Sequence, residues 1–347
     1  MRKRVGMVDV AREAGVSVGT VSNVYNQPEL VTPKTRRRVQ AAIDRLGYDR
    51  GETAHMLHGR PSRLMAFIVH DLANPFCIDL VQGAEQAARR AGLGIIVCNS
   101  DGSPGEETRY ASLLNEHRIR GVLLAPAGSS ARSIAAMWHH QIPLVVVDDC
   151  KSGGDACSVA VDDVLGGELA IAHLLASGHR NIAFVSGPTN LPQMQARSQG
   201  TLKALATAKL PTSTVTELTC EGMTASAGRD AGARILGMHP RPTGVFCAND
   251  LLATGVLQTL SAAGIDVPRD IALVGYDDIE HAADTAVPLT SVRRPARFMG
   301  TRAANLLIEK TSSASSAAHA HQHVVLHPEL VVRRSSSALQ QRFTPSQ

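Results

Sequence analysis

The sequence predicts a small all-α headpiece followed by a large α/β region of two doubly wound subdomains. Three observations carry this. The first 48 residues hold apolar positions at helical spacing. From Leu64 onward short Val/Ile-rich runs alternate with helical stretches. Between them lies a polar connector, residues 49–63, with Gly51, Gly59 and Pro61. At 347 residues the chain is too long for one compact core. Hydrophobic residues reach 44% but aromatics only 3%, so the cores must be built from Ala, Val, Leu and Ile.

In the headpiece, Met7, Val10, Ala11 and Ala14 fall on one helical face, and Gly15-Val16 breaks the run. Ser17 can cap a second helix over 17–25 by accepting a backbone N–H. Thr32-Pro33 pairs an N-cap with proline at the first helical position. Val39, Ala42, Ile43 and Leu46 then repeat at helical spacing until Gly47. The connector, DRGETAHMLHGRPSR, contains one candidate short helix, Glu52–His58. The runs LMAFIV, GIIVCN, GVLLAP, PLVVVDD, SVAV, NIAFVSG, TGVFCAN and IALVGYDD lack polar alternation, as parallel strands buried on both faces do. A Ser/Ala/His-rich stretch, Thr311–Gln322, reads as a surface loop before a last strand, HVVLHPELVV.

Charge narrows the function. The net charge is +4, yet residues 1–63 alone carry +6, leaving −2 for the rest. A basic front segment suits a polyanionic partner. No targeting segment is visible, and the longest apolar runs, such as Ile142–Val147, are far too short to span a bilayer. The six cysteines are scattered with no CxxC pair, as expected of buried free thiols in a reducing compartment. Neither a GxGxxG fingerprint nor a P-loop occurs, so no dinucleotide or nucleotide cofactor is indicated. His319, His321 and His323 alternate, but in a low-complexity stretch that reads as a solvated loop rather than a metal site.

The second helix has the make-up of one that enters a DNA major groove, with an apolar inner face and small polar residues outside. Val16, Val21 and Val24 face inward, while Val18, Gly19, Ser22 and Asn23 face outward. Ser17, Thr20, Ser22 and Asn26 supply hydroxyl or amide groups for phosphates, and Asn23 can reach a base edge. A small helical hairpin without a ligand is the alternative. The stretch DVAREAGVSVGTVSNVYNQPELVTPKTRRRVQAAIDRLGY closely resembles the helix-turn-helix headpiece of the lactose-repressor (LacI/GalR) family over some forty residues. Gly6 stands where that family often has a threonine cap, and Asn23 where arginine is common. Val18 and Gly19 occupy the positions at which the family sets operator preference; neither side chain hydrogen-bonds, which leaves apolar contact with a thymine methyl.

The resemblance also assigns the connector a role as a hinge helix that orders on DNA. Leu57, with Ala54 one turn earlier, matches the leucine that wedges into the minor groove at the operator centre. Asp49-Arg50-Gly51 departs from the family's usual proline-asparagine at its start. The alternative is a linker leucine packed against the next domain. DLANPF, SVAVDDVLGG, GHRNIAFVSGP, ANDLLATG, IALVGYDD and LHPELVVRRSS extend the likeness to a sensor similar to periplasmic sugar-binding proteins, with an effector cleft between two α/β subdomains. By matching motifs, Arg197 holds a polar or anionic effector group, Asp277 accepts its hydroxyls or N–H groups, Asn249 adds an amide and Phe76 stacks on it. Gln193, Met223 and Asp148 line the cleft. Each has a plainer reading: an Arg–Asp pair, a core phenylalanine, a helix cap.

The expected organisation is therefore a helix-turn-helix domain at 1–48, a hinge and linker at 49–63, and a periplasmic-binding-protein-like effector-binding and dimerisation domain at 64–347. Within the last, the first subdomain spans about 64–161 and 292–325, the second about 162–291 and 326–336. The expected protein is a cytoplasmic, nucleoid-associated homodimeric regulator, not an enzyme. It binds near-palindromic double-stranded DNA under control of a small-molecule effector, a sugar or related metabolite. Met223 and Val161 stand where relatives often place rings, so an organic acid, nucleoside or phosphorylated sugar also fits. Competing readings are a transporter-feeding solute-binding protein and an α/β enzyme. The basic headpiece opposes the first, and the lack of a nucleophile–base constellation opposes the second.

Overall fold

The computed structural model describes residues 5–48, 62–128, 131–149, 156–312 and 320–337. The chain divides into two compact units, Met1–Ser62 and Arg63–Gln347. The expected connector helix, with Ala54 and Leu57, lies outside the described residues.

The first unit contains α1 (Met7–Ala14), α2 (Val18–Asn26) and α3 (Pro33–Leu46). Val10, Ala11, Ala14, Val21, Val39, Ala42 and Ile43 form its core, with Val16 and Val24 packed against it. Ser17 caps α2, its hydroxyl accepting the Thr20 N–H at 3.1 Å. Thr32 caps α3 in the same way, ahead of Pro33. Glycine at position 6 has no cap of its own to offer. Instead the Asp9 carboxylate accepts the Gly6 N–H at 2.9 Å, half of a capping box. Gly15 ends α1 at φ 60°, a left-handed conformation that glycine adopts without strain. Arg38 of α3 donates to the carbonyls of Ala14 and Gly15, which ties the α1–α2 turn to the third helix.

The second unit holds two six-stranded sheets. The first runs β11-β5-β4-β3-β1-β2: His323–Leu326, Cys157–Val161, Leu144–Val147, Val122–Leu124, Leu64–Val69 and Gly94–Asn99. All its pairings are parallel. The second runs β12-β10-β9-β8-β6-β7: Glu329–Val331, Thr290–Arg293, Ala272–Asp277, Gly244–Cys247, Ile182–Ser186 and Val215–Thr219. Only β10–β12 is antiparallel. Helices cover both faces of the first sheet: in β1, Met65, Phe67 and Val69 join one apolar cluster and Ala66 and Ile68 another. That two-sided burial explains why the strand sequence lacks polar alternation.

The chain passes between sheets three times, after Val161, after Arg293, and at His327-Pro328. The second passage falls two residues later than the sequence suggested, because Val292 and Arg293 still pair with β9. The final apolar run, expected as one strand, is two. His327-Pro328 interrupts it, and its halves join different sheets. The strands β7 and β10 were not expected: VTELT and TSVR carry too few apolar residues to announce themselves.

Three helix pairs cross with glycine facing backbone on both sides. These are α4 (Pro75–Arg90) with α12 (Ala296–Lys310), α7 (Asp163–Ala176) with α8 (Pro192–Thr207), and α9 (Ala225–Leu236) with α10 (Asp250–Ala262). A Cβ on Gly83 would strike the Arg297 carbonyl, and one on Gly300 the Leu80 carbonyl. Gly167 and Gly200 face the carbonyls of Arg197 and Val164, and Gly228 and Gly255 those of Leu252 and Ala225. These crossings draw the backbones into contact and fix which residues reach the strand ends.

Candidate functional site

On the first unit, the loop into α2 presents Ser17, Val18 and Gly19 as exposed residues, with Thr20, Ser22, Asn23 and Asn26 half-buried. Several of these polar groups are already engaged. The Ser17 hydroxyl serves the cap and meets the Thr20 hydroxyl at 2.9 Å. Asn26 donates to the Ser22 hydroxyl at 3.0 Å. Val18 is 43% exposed at the first position of the helix.

The second unit contains a cavity of about 450 Å³ between its two sheets, at the carboxyl ends of their strands. Phe76, Asp148, Gln193, Arg197, Met223 and Asp277 all line it. Asn249 does not. It caps α10, accepting the Leu252 N–H at 2.8 Å, and its amide donates to the Met223 carbonyl at 3.0 Å. It thus positions Met223 from behind the wall.

Arg197 is buried, 2% exposed. Its Nε and Nη2 both approach Asp163 Oδ1 at 2.9 Å, and Nη1 donates to the Ala248 carbonyl. The Tyr276 ring lies 3.7 Å beneath the guanidinium, and its hydroxyl donates to the same Asp163 oxygen at 2.7 Å. Burial alone would lower the proton affinity of Arg197, but Asp163, Tyr276 and Asp277 outweigh it and hold the arginine above its ordinary value. The Gly167–Gly200 crossing makes this seat possible, and Gly166 leaves room for the Tyr276 hydroxyl.

The sequence reading missed Asp163 and Arg294. Arg294 follows β10 on the second passage between sheets and is 5% exposed. It donates to Asp148 Oδ1 at the end of β4 and, at 3.2 Å, to Asp277 Oδ1 at the end of β9. Its guanidinium lies 3.8 Å over the Phe76 ring, covering the face expected for an effector. Desolvation lowers Arg294 to about 9, still above neutrality, so it carries its charge at pH 7. Burial raises the Asp277 carboxyl well above its ordinary value, against the lowering by Arg197. Gln193 adds a second tie across the cleft, its amide donating to the Asp148 carbonyl at 2.7 Å. Asp148 and Asp277 both sit at positive φ, 68° and 102°, a conformation costly for aspartate that the surrounding contacts must hold.

Among the described residues no group of three His, Cys, Asp or Glu side chains could hold a metal ion, and no helix is long and apolar enough to cross a membrane. His323 instead meets the Ser158 hydroxyl at 3.0 Å, and His319 lies outside the described residues.

Comparison with known proteins agrees with this geometry. Residues 6–50 match the model of bacterial regulatory proteins of the lacI family, and residues 171–336 that of a periplasmic binding protein-like domain. The chain is 32% identical to the HTH-type transcriptional regulator DegA of Bacillus subtilis, over 95% of this chain and 98% of that one. It is 33% identical to the ribose operon repressor of Escherichia coli, over 95% and 99%. Among solved structures, the lac repressor dimer bound to operator and the anti-inducer ONPF superimposes with a TM-score of 0.85 at 27% identity, covering 97% of this chain and all of that one. The relatives are transcriptional regulators rather than enzymes. With a capped helix-turn-helix, two six-stranded, largely parallel sheets and a polar cleft between those sheets, the chain belongs to the lacI family of DNA-binding bacterial transcriptional regulators.

Proposed function

We propose that the protein is a homodimeric, cytoplasmic, nucleoid-associated repressor whose affinity for a near-palindromic operator is set by a sugar or related metabolite bound in the cleft. The observation that carries this reading is the cleft itself. A cavity large enough for a small metabolite is spanned by Gln193, and by Arg294 reaching one carboxylate from each sheet. A molecule bound there sits against these ties, and whichever arrangement of the subdomains it contacts better is favoured over the other. The names of two relatives support the reading, since one represses a ribose operon and another was solved on operator with an anti-inducer.

On this reading Phe76, Asp148, Gln193, Arg197, Met223 and Asp277 contact the effector, and Asn249 acts through Met223. Ser17, Thr20, Ser22 and Asn26 hold phosphates, Asn23 reads a base edge, and Val18 and Gly19 read shape and thymine methyls. Ala54 and Leu57 belong to the hinge that orders on the operator. Fluorescence anisotropy of the full-length protein tests the reading, comparing DNA upstream of its own gene with a scrambled duplex across a salt series. Tight binding that prefers the upstream fragment and weakens steeply with salt is the expected result. No binding to either duplex at low salt would overturn it.

A further inference from the structure

The neighbourhood of Arg294 is built like a receptor for a cation. An aromatic face lies on one side of the guanidinium and two buried carboxylates, Asp148 and Asp277, lie at its edge. A ring face with convergent carboxylates in a desolvated setting is the chemistry that recognises ammonium and guanidinium groups. The same cleft offers little to an anion. Both edge nitrogens of Arg197 go to Asp163 and its remaining terminal nitrogen to a carbonyl, so its charge is already paired with a carboxylate. Both terminal nitrogens of Arg294 likewise hold carboxylates, Asp277 and Asp148. The rim adds Asp71, Asp101 and Glu221, while the histidine there, His70, is pushed toward its neutral form by burial. Such a lining draws in cations and repels carboxylates and phosphates.

Arg294 also fits its place imperfectly. Its Nε is buried and has no hydrogen-bond partner among the described residues. A buried donor left unpaired is a standing cost that a better-fitting cation between the same carboxylates would not carry. Its backbone lies on the passage between the two sheets, so its departure would free that passage as well as both carboxylates.

We propose that Arg294 is a tethered occupant of the effector's own subsite, and that the effector carries an ammonium or guanidinium group which replaces it between Asp148 and Asp277. The exchange conserves charge in the buried cluster. A neutral molecule taking the same place would leave Asp148 and Asp277 without the cation that now joins them. This rests on the cleft being the effector site, and narrows the effector to cationic metabolites such as amine-bearing sugars.

The test is chemical rescue in the full-length protein. Arg294→Ala should lower the thermal midpoint, and ethylguanidinium, the end of an arginine side chain, should restore it saturably at millimolar concentration. Ethylurea, uncharged and of the same shape, should not. Wild-type protein, where Arg294 competes for the place, should respond to ethylguanidinium only at much higher concentration and not to ethylurea. Adding Asp277→Asn to the alanine variant should weaken the half-saturation on the order of tenfold, as loss of a charged hydrogen bond does. If the alanine variant does not fold, Arg294→Gln is titrated in its place. Rescue by ethylurea as strong as by ethylguanidinium, or identical shifts in wild type and variant, would overturn the cation subsite and leave the cleft reading standing. The same titration is followed by anisotropy on upstream DNA. A thermal rescue that leaves DNA affinity unchanged would instead overturn the coupling of this cleft to the headpiece, and with it the effector role.

Discussion

Asp250 stands at the first position of α10, 1% exposed, and accepts the Ser291 hydroxyl at 2.7 Å and the Ile279 N–H at 2.9 Å. Burial dominates its titration and pushes the carboxyl up to about 7, with the nearby Asp278 carboxylate adding to the rise and the two hydrogen bonds opposing it. Between the ordinary aspartate value and about 7 the folded chain keeps a proton that the unfolded chain has lost. The stability this contributes is complete below the ordinary value and is lost as pH rises through about 7. Asp250→Asn, which cannot ionise, should flatten the fall in thermal midpoint between pH 5 and pH 8; an unchanged slope would assign that dependence to other groups. At this scale the sequence was only partly legible. Arg197 and Asp277 could be placed from the motifs around them, but VRRP does not say which arginine turns inward. Arg293 is the last residue of β10 and points out to Asp278 and Glu329, whereas Arg294, one residue on, is buried. Strand alternation makes that choice, and it could not be applied to a strand the sequence left unannounced.

At the scale of elements, the reciprocal glycine crossings hold the sensor's helices closer than side chains would allow. At α4–α12 a methyl on Gly300 would meet the Leu80 carbonyl, and backbone has no rotamer with which to yield. Gly300→Ala should therefore destabilise the protein by about 1–3 kcal/mol despite alanine's better helix propensity. Gly222→Ala is the control. Its Cβ would meet nothing within 4 Å, and its cost should stay within about 0.5 kcal/mol. Denaturant midpoints of the two variants decide it; equal values would remove the packing argument. The Val/Ile-rich inner strands, such as β1 and β4, were readable because burial on both faces demands that composition. β7 was not, since it is an edge strand with Glu217 exposed, and tertiary pairing with β6 rather than its own sequence makes it a strand.

For the whole molecule, the two-unit organisation was legible because charge and periodicity both change near residue 63, and the basic segment coincides with the smaller compact unit. What an isolated sequence does not encode plainly is how, on the proposed reading, a cleft in one unit would govern DNA binding by the other, since that depends on the energy difference between two conformations. The covalent route between them is the connector, and on the proposed reading Leu57 is its instrument. An apolar wedge spends energy to unstack a base step and recovers it in contacts that only a bent operator allows. Non-specific DNA gives no such return, because there binding rests on phosphate charge alone. Leu57→Ala should thus weaken binding to upstream DNA on the order of tenfold or more, about 1.4 kcal/mol for each factor of ten. Affinity for a scrambled duplex, and its steep salt dependence, should remain nearly intact. Anisotropy on the two duplexes in parallel measures the difference. Equal loss on both would mean that Leu57 supports the headpiece generally, and that specificity is set by the α2 face alone.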